Sequence, residues 1–230
     1  MRKPTASAAT AAALVRKSGA IARALTGGLE LPLQAIRASV ENLHHEFGRE
    51  PVGARRLDGV LRGVERLGRN VDGLLELAEP PTLHPLACTP SEIVGAARQA
   101  LDAEDRSRVQ LACTQEGAPL RLDGPLVSVC LRRLIENSLE AGSETVLVSA
   151  RTSGDQLVFA VVDDAPEGLE SDWKPVPFLT TKPNHLGLGL TLTQRDVALL
   201  GGALTFHATR AGATCVRITV PCLPESIDEQ

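Results

Sequence analysis

The sequence predicts an α+β chain in two parts, an N-terminal helical hairpin followed by a two-layer α/β sandwich. Two heptad-spaced apolar seams lie within the first 79 residues. The stretch Glu79-Pro-Pro-Thr-Leu-His-Pro85 then breaks the helix, because consecutive prolines cannot continue one. Beyond it, helical and strand patterns alternate, as in helices layered on a mixed sheet.

The elements follow in order. Residues 1–13 are basic, then Ala/Thr-rich, and are expected to be a flexible terminus; they lack the Leu-rich core of a signal peptide. Residues 14–79 form the hairpin. Leu29, Leu33, Ile36, Val40, Leu43 and Phe47 are spaced 4, 3, 4, 3, 4, and Leu57, Val60, Val64, Leu67, Val71, Leu74 and Ala78 are spaced 3, 4, 3, 4, 3, 4. The turn between them is expected at Gly48–Gly53, with Pro51 inside. A lone hairpin buries little, so residues 14–79 are expected to build a homodimeric four-helix bundle, with packing against the second domain as the other arrangement. Residues 80–88 read as a linker, 89–224 as the second domain and 225–230 as a tail. Within the second domain a helix is expected from Thr89 or Ser91 to about Ala103. A strand should lie at 109–113, a helix at 126–141, and strands at 145–151 and 156–162. Another helix should begin near Gly189, and strands at 202–209 and 214–220 close the domain.

Composition narrows the function. Hydrophobic content is 43 % with four Phe, one Trp and no Tyr, so the core must be Leu, Val, Ala and Ile. The net charge of −4 gives no basic field for nucleic acid. Arg55, Arg56, Arg62, Arg66 and Arg69 crowd one helix, but Asp58, Glu65, Asp72 and Glu76 interleave with them, which marks a solvated face. Five Cys without a CxxC pair suggest reduced thiols. No apolar run reaches the roughly 18–20 residues of a membrane span, so a cytoplasmic protein is expected. His and Cys show no metal-ligand spacing.

The run Phe178-Leu-Thr-Thr-Lys-Pro-Asn-His-Leu-Gly-Leu-Gly-Leu190 carries chemistry. Hydroxyls and a Lys donate to phosphate oxygens, and glycines let backbone approach a ligand. The helix after it offers its N-terminus to an anion. The spacing is not that of a P-loop, so another nucleotide fold is implied.

Leu134-Ile-Glu-Asn137-Ser-Leu-Glu-Ala, Val162-Asp163-Asp164-Ala-Pro-Glu-Gly168-Leu, Phe178-Leu-Thr-Thr-Lys and Gly187-Leu188-Gly189-Leu190 occur in this order. They resemble the Asn, Asp-x-Gly-x-Gly, Phe and glycine boxes of histidine kinases and the wider GHKL ATPase superfamily. The likeness covers about 85–224, and the hairpin resembles the dimerisation and phosphoacceptor domain of nitrogen-regulation-type sensor kinases. It implies ATP and Mg²⁺ as cofactors. Asn137 would hold Mg²⁺, for which an amide oxygen is suitable. Asp163 or Asp164 would take the adenine amino group, with Gly168 in the box behind it. Thr180, Thr181 and Lys182 would lie in the lid, and Gly187, Leu188 and Gly189 would turn backbone N–H groups to the phosphates.

Departures from the family pattern matter as much. With Asp163 leading the box, its glycines align to Ala165 and to Glu167 or Gly168; with Asp164 leading, Pro166 replaces the first glycine, so a Cβ or ring crowds the base and adenine affinity is in question. His185 stands at the first glycine of the last box. Arg133 takes the first Asn position, where the ATP-hydrolysing cousins place a Glu base; it cannot act as a base, and would pair with phosphate or lie solvated. Leu31-Pro-Leu matches the segment after the phosphorylated His, but five residues before Pro32 stands Gly27, followed by Gly28. Gly27 lies on the solvated side of the seam and has no side chain to take phosphate. Gly27, Gly28 and Pro32 together weaken the helix there and suggest a hinge. His45 mimics an acceptor motif, but taking it as acceptor leaves no room for the first hairpin helix.

The expectation is a dimeric, histidine-kinase-like regulator, a pseudokinase that docks a response-regulator receiver domain or a true histidine kinase and receives its input through another protein. The alternative is an active ATP-dependent kinase that phosphorylates a partner or an atypical residue in a phosphorelay.

Overall fold

The computed structural model describes residues 34–44, 51–114, 119–166, 173–180, 182, 186–208 and 213–224. Gly27, Gly28, Pro32, His45, Glu167, Gly168, Thr181 and His185 lie outside the described residues, as do both expected tails and the seam positions Leu29, Leu33 and Phe47. The chain divides into two compact units, Met1–Pro81 with Pro177–Leu188, and Thr82–Val176 with Gly189–Gln230.

In the first unit, α1 covers residues 34–44 and α2 covers Pro51–Ala78. The second helix starts inside the stretch expected to be turn. Pro51 explains the difference: its fixed φ suits a first helical position, and its missing N–H would have had no helical partner there. Arg37 Nε donates to Glu41 Oε1 at 2.8 Å one turn on. His44 Nε2 lies 3.0 Å from Asp58 Oδ1 and ties α1 to α2. Val40 and Val71 are buried, but Ile36, Leu43, Val60 and Leu67 are each more than 40 % exposed. Four of the ten described seam positions therefore face outward.

The second unit is the sandwich. Its five-stranded sheet runs β2(Val109–Thr114), β4(Val146–Ser153), β5(Gln156–Asp163), β7(Thr214–Pro221), β6(Ala203–Ala208) in spatial order. Only the β2–β4 pair is parallel. Helices α3(Pro90–Gln99), α5(Gly124–Glu140) and α6(Gly189–Leu199) pack against it. Register lines up the inward side chains in rows, Val148–Val161–Val216–Phe206 and Ala150–Phe159–Ile218–Leu204. On α5, Val127, Cys130, Leu131, Leu134 and Ile135 close over these rows and are at most 1 % exposed. Each such large apolar side chain contributes roughly 1.5–3 kcal/mol by leaving water. Trp173 packs edge-on to Phe206 with ring centroids 5.3 Å apart.

Three local features differ from the sequence reading. The first sandwich helix stops at Gln99, and Asp102 caps a separate short helix, α4(Ala103–Ser107), by accepting from Asp105 N at 2.8 Å. The last three residues of the expected 80–88 linker form β1(Leu86–Cys88). That strand joins β3(Leu120–Leu122) and β8(Leu223–Pro224) in a small antiparallel sheet. The start of α3 is as expected: Thr89 accepts from Glu92 N while Glu92 Oε2 accepts from Thr89 N at 2.7 Å, a reciprocal cap.

Candidate nucleotide site

The strand alternation that buries Leu157, Phe159 and Val161 carries one residue further and turns Asp163 inward. It is 7 % exposed, whereas Asp164 faces out and accepts from Thr145 N. Of the two carboxylates left open by the motif, Asp163 is thus the one built into the interior. Ser138 Oγ donates to its Oδ2 at 2.7 Å, and Ala165 N and Thr214 N donate to Oδ1 at 3.3 and 3.4 Å. A carboxylate has about four acceptor sites, so these three donors leave room for one more, such as an amino group. The motif reading passed over Ser138 and Thr214. Their signal was a small hydroxyl residue beside Asn137 and another at the start of the last long strand.

Ala165 is buried behind Asp163, and Pro166 lies against Gly142, whose φ is +92°. Side chains therefore occupy backbone positions where the family pattern has glycine.

Asn137 sits half-buried on α5, one turn after Arg133. Arg133 is neither solvated nor aimed at water: its Nη1 donates to Asp196 Oδ2 on α6 at 2.8 Å. Its side chain is 11 % exposed and that of Asp196 is 2 % exposed. Arg195 donates Nε and Nη2 to Asp196 Oδ1 at 2.9 and 2.7 Å. Burial, with Asp196 next in importance, pushes the nearby Cys130 thiol up to about 12.

Gly189 opens α6, and its carbonyl accepts from Thr193 Oγ1 at 2.9 Å. The Thr191 hydroxyl in the first turn is buried and has no hydrogen-bond partner among the described residues. An orphaned donor beside a helix N-terminus fits an anionic ligand.

The remaining motif residues lie in the other unit. Thr180 Oγ1 accepts from Lys182 N at 3.0 Å, and both residues belong to an exposed stretch. Phe178 has φ +65° and is 59 % exposed. Gly187 has φ +66°, and a Cβ there would stand 2.6 Å from the Leu179 carbonyl oxygen, so only glycine fits. Leu188 is buried, with its Cδ1 3.5 Å from where a Cβ on Gly73 of α2 would be.

These residues suit a nucleotide better than a divalent cation. Asn137 offers one neutral amide, and a permanent guanidinium stands one turn before it on the same face. Among the described residues no group of three or more His, Cys, Asp or Glu could hold a metal.

Comparison with known proteins gives the class. Residues 123–224 match the family of histidine kinase-, DNA gyrase B- and HSP90-like ATPases. The chain is 28 % identical over 229 residues to the sensor histidine kinase ZraS of Salmonella typhi, covering 94 % of this chain and 49 % of that protein. It is 27 % identical to the sensor protein KdpD of Escherichia coli over 88 % of this chain and 24 % of that one. It thus spans a quarter to a half of these relatives. Full-length ShkA in complex with AMPPNP shares the fold, with a TM-score of 0.73 at 16 % identity over 88 % of this chain and 46 % of that one. Histidine kinase ThkA in complex with the response regulator protein TrrA does so with a TM-score of 0.63 at 15 % identity over 92 % and 65 %. The C-terminal domain is a GHKL-type ATPase domain. With the hairpin ahead of it, the chain is similar to sensor histidine kinases over most of its length. No described helix is long and apolar enough to cross a membrane.

Proposed function

We propose that the protein is a dimeric histidine-kinase-like regulator that holds an adenine nucleotide but does not autophosphorylate in the standard way. The observation that carries this reading is Gly27, five residues before Pro32, where an acceptor His would stand. Glycine has no nucleophile. His44, a histidine of the described hairpin, is tied to Asp58 at the far end of α1.

In this reading Asp163 takes the adenine amino group at its remaining acceptor site, with Ser138 fixing its orientation. Asn137 and the first turn of α6 from Gly189 face the phosphates, and the family pattern gives Gly187 and Leu188 a phosphate-binding role and Thr180, Thr181 and Lys182 the role of a lid. Bound ATP would supply a transferable phosphoryl group, yet Arg133, paired with Asp196, leaves no base at the position where ATP-hydrolysing relatives carry one.

The outward seam positions Ile36, Leu43, Val60 and Leu67 support pairing with a second copy through residues 14–79. A receiver domain of a response regulator, or a true histidine kinase, would dock on that dimer; the ThkA–TrrA complex is an instance of a kinase of this fold with a response regulator protein. The test is incubation with γ-labelled ATP. Phosphohistidine on the purified protein would sink the regulator reading.

A second reading is phosphorylation of a partner's His or of an atypical residue. The kept Ser138–Asp163 pair and the Gly187 turn favour it. Adding a His-bearing partner and ATP separates the two, since only an active kinase transfers label to it.

A further inference from the structure

The five-stranded sheet buries one face, and its other face stays open. Leu157, Phe159 and Val161 on β5 are at most 1 % exposed. Val158, Ala160 and Val162 alternate with them, point the other way and are only half-buried. Leu147, opposite Val162 on β4, is 36 % exposed. A strip of aliphatic surface thus runs down the middle strand within reach of water.

Arg151 and Arg217 flank that strip. Arg151 stands on β4 opposite Val158, and Arg217 stands on β7 opposite Ala160. Both are exposed, and neither has a hydrogen bond or an ion pair with a described residue. From the strand spacing and rise, the two lie roughly 12 Å apart across the strip. None of the outward positions of the five strands is Asp or Glu. In a chain of net charge −4 this face is locally positive.

The charge narrows the occupant. The same face of a second copy would bring arginine against arginine, and like charges repel. Two guanidinium groups are too few for nucleic acid, whose affinity comes from many phosphate contacts. What fits is a short segment with an aliphatic side chain between carboxylates. The chain carries one: residues 225–230 read Glu-Ser-Ile-Asp-Glu-Gln, with Ile227 two places after Glu225 and one before Asp228. They follow β8, which ends three residues past β7, the strand that carries Arg217. Six extended residues span up to about 20 Å, more than the distance between the arginines.

We propose that residues 225–230 dock on the open face of their own sheet, with Ile227 on the strip at Val158 and Ala160 and the carboxylates of Glu225, Asp228 and Glu229 accepting from Arg151 and Arg217. An exposed ion pair alone contributes little, and this seat combines two of them with an aliphatic contact. Salt screens the pairs, so docking weakens as ionic strength rises.

The experiment is timed digestion of the full chain at low salt with a glutamyl endopeptidase, read by intact mass. The product that ends at Glu225 reports an accessible segment. A synthetic peptide of residues 219–230, digested in the same buffers, corrects for the effect of salt on the protease. Arg151→Gln combined with Arg217→Gln should speed the loss of residues 226–230 by about fivefold or more. Ile227→Ser should speed it by a similar factor, and high salt should speed it relative to the peptide. Arg151→Lys with Arg217→Lys keeps both charges and should stay near the native rate. A thermal melt of each variant checks that the sandwich is folded. A native rate equal to that of the peptide overturns the proposal, as does a rate that the two Gln substitutions leave unchanged. Protection that disappears on dilution assigns the segment to a second copy and overturns docking on its own sheet.

Discussion

The hairpin and the sandwich solve the burial problem differently. On the described hairpin helices only Val40 and Val71 are buried, whereas the sandwich closes a continuous core of rows across four strands under α5. A domain with its own core can stand alone. A hairpin with four of its ten described seam positions in water gains stability by acquiring a partner.

Four changes would break or sharpen this contrast. Phe159→Ala, in the middle of the inward rows, should destabilise the sandwich by about 4 kcal/mol in urea melts and leave hairpin association intact. Leu67→Asp should weaken self-association by more than about tenfold in sedimentation while leaving the sandwich melt unchanged, because burying one Leu is worth roughly 1.5–3 kcal/mol. A native chain that is already monomeric would remove the contrast altogether. The third concerns pH. The Cys130 thiol is raised from its ordinary 9.0 to about 12 in the folded domain, so its contribution is complete below pH 9 and is lost as pH rises toward 12. Sandwich stability should therefore fall above pH 9 by up to about 1.4 kcal/mol per pH unit, a slope that Cys130→Ala reduces. Thr89→Ala should cost about 1 kcal/mol by removing the cap of α3. Glu92, held below the ordinary carboxylate range by Thr89 N–H and then the Thr89 hydroxyl, contributes above its unfolded pKa and loses that contribution on acidification. An acid titration of the variant should show that step reduced but not abolished, because alanine keeps the residue-89 N–H and loses only the hydroxyl.

Most long elements were legible because their periods are strong. Leu157, Phe159 and Val161 alternate cleanly, and the same alternation extended by one step selects Asp163 over Asp164. The helix start at Pro51 was hidden by reading proline as a turn residue when it also suits a first helical turn. The small sheet was invisible because strands of three, three and two residues show no period. The Arg133–Asp196 pair was missed because its partners stand 63 positions apart. A hint was present: Asp196 falls on the face with Leu192 and Val197, an apolar stripe where a carboxylate needs a partner.

Trp173 is the single tryptophan of the chain, and it is locked edge-on against Phe206 in the sandwich. Its emission is a spectroscopic label that nature has placed in one unit alone. Fluorescence excited at the indole band reports the sandwich, while far-ultraviolet dichroism is weighted by the long helix of the hairpin. Unfolding curves recorded by the two signals on one sample would show whether the units come apart together or one after the other.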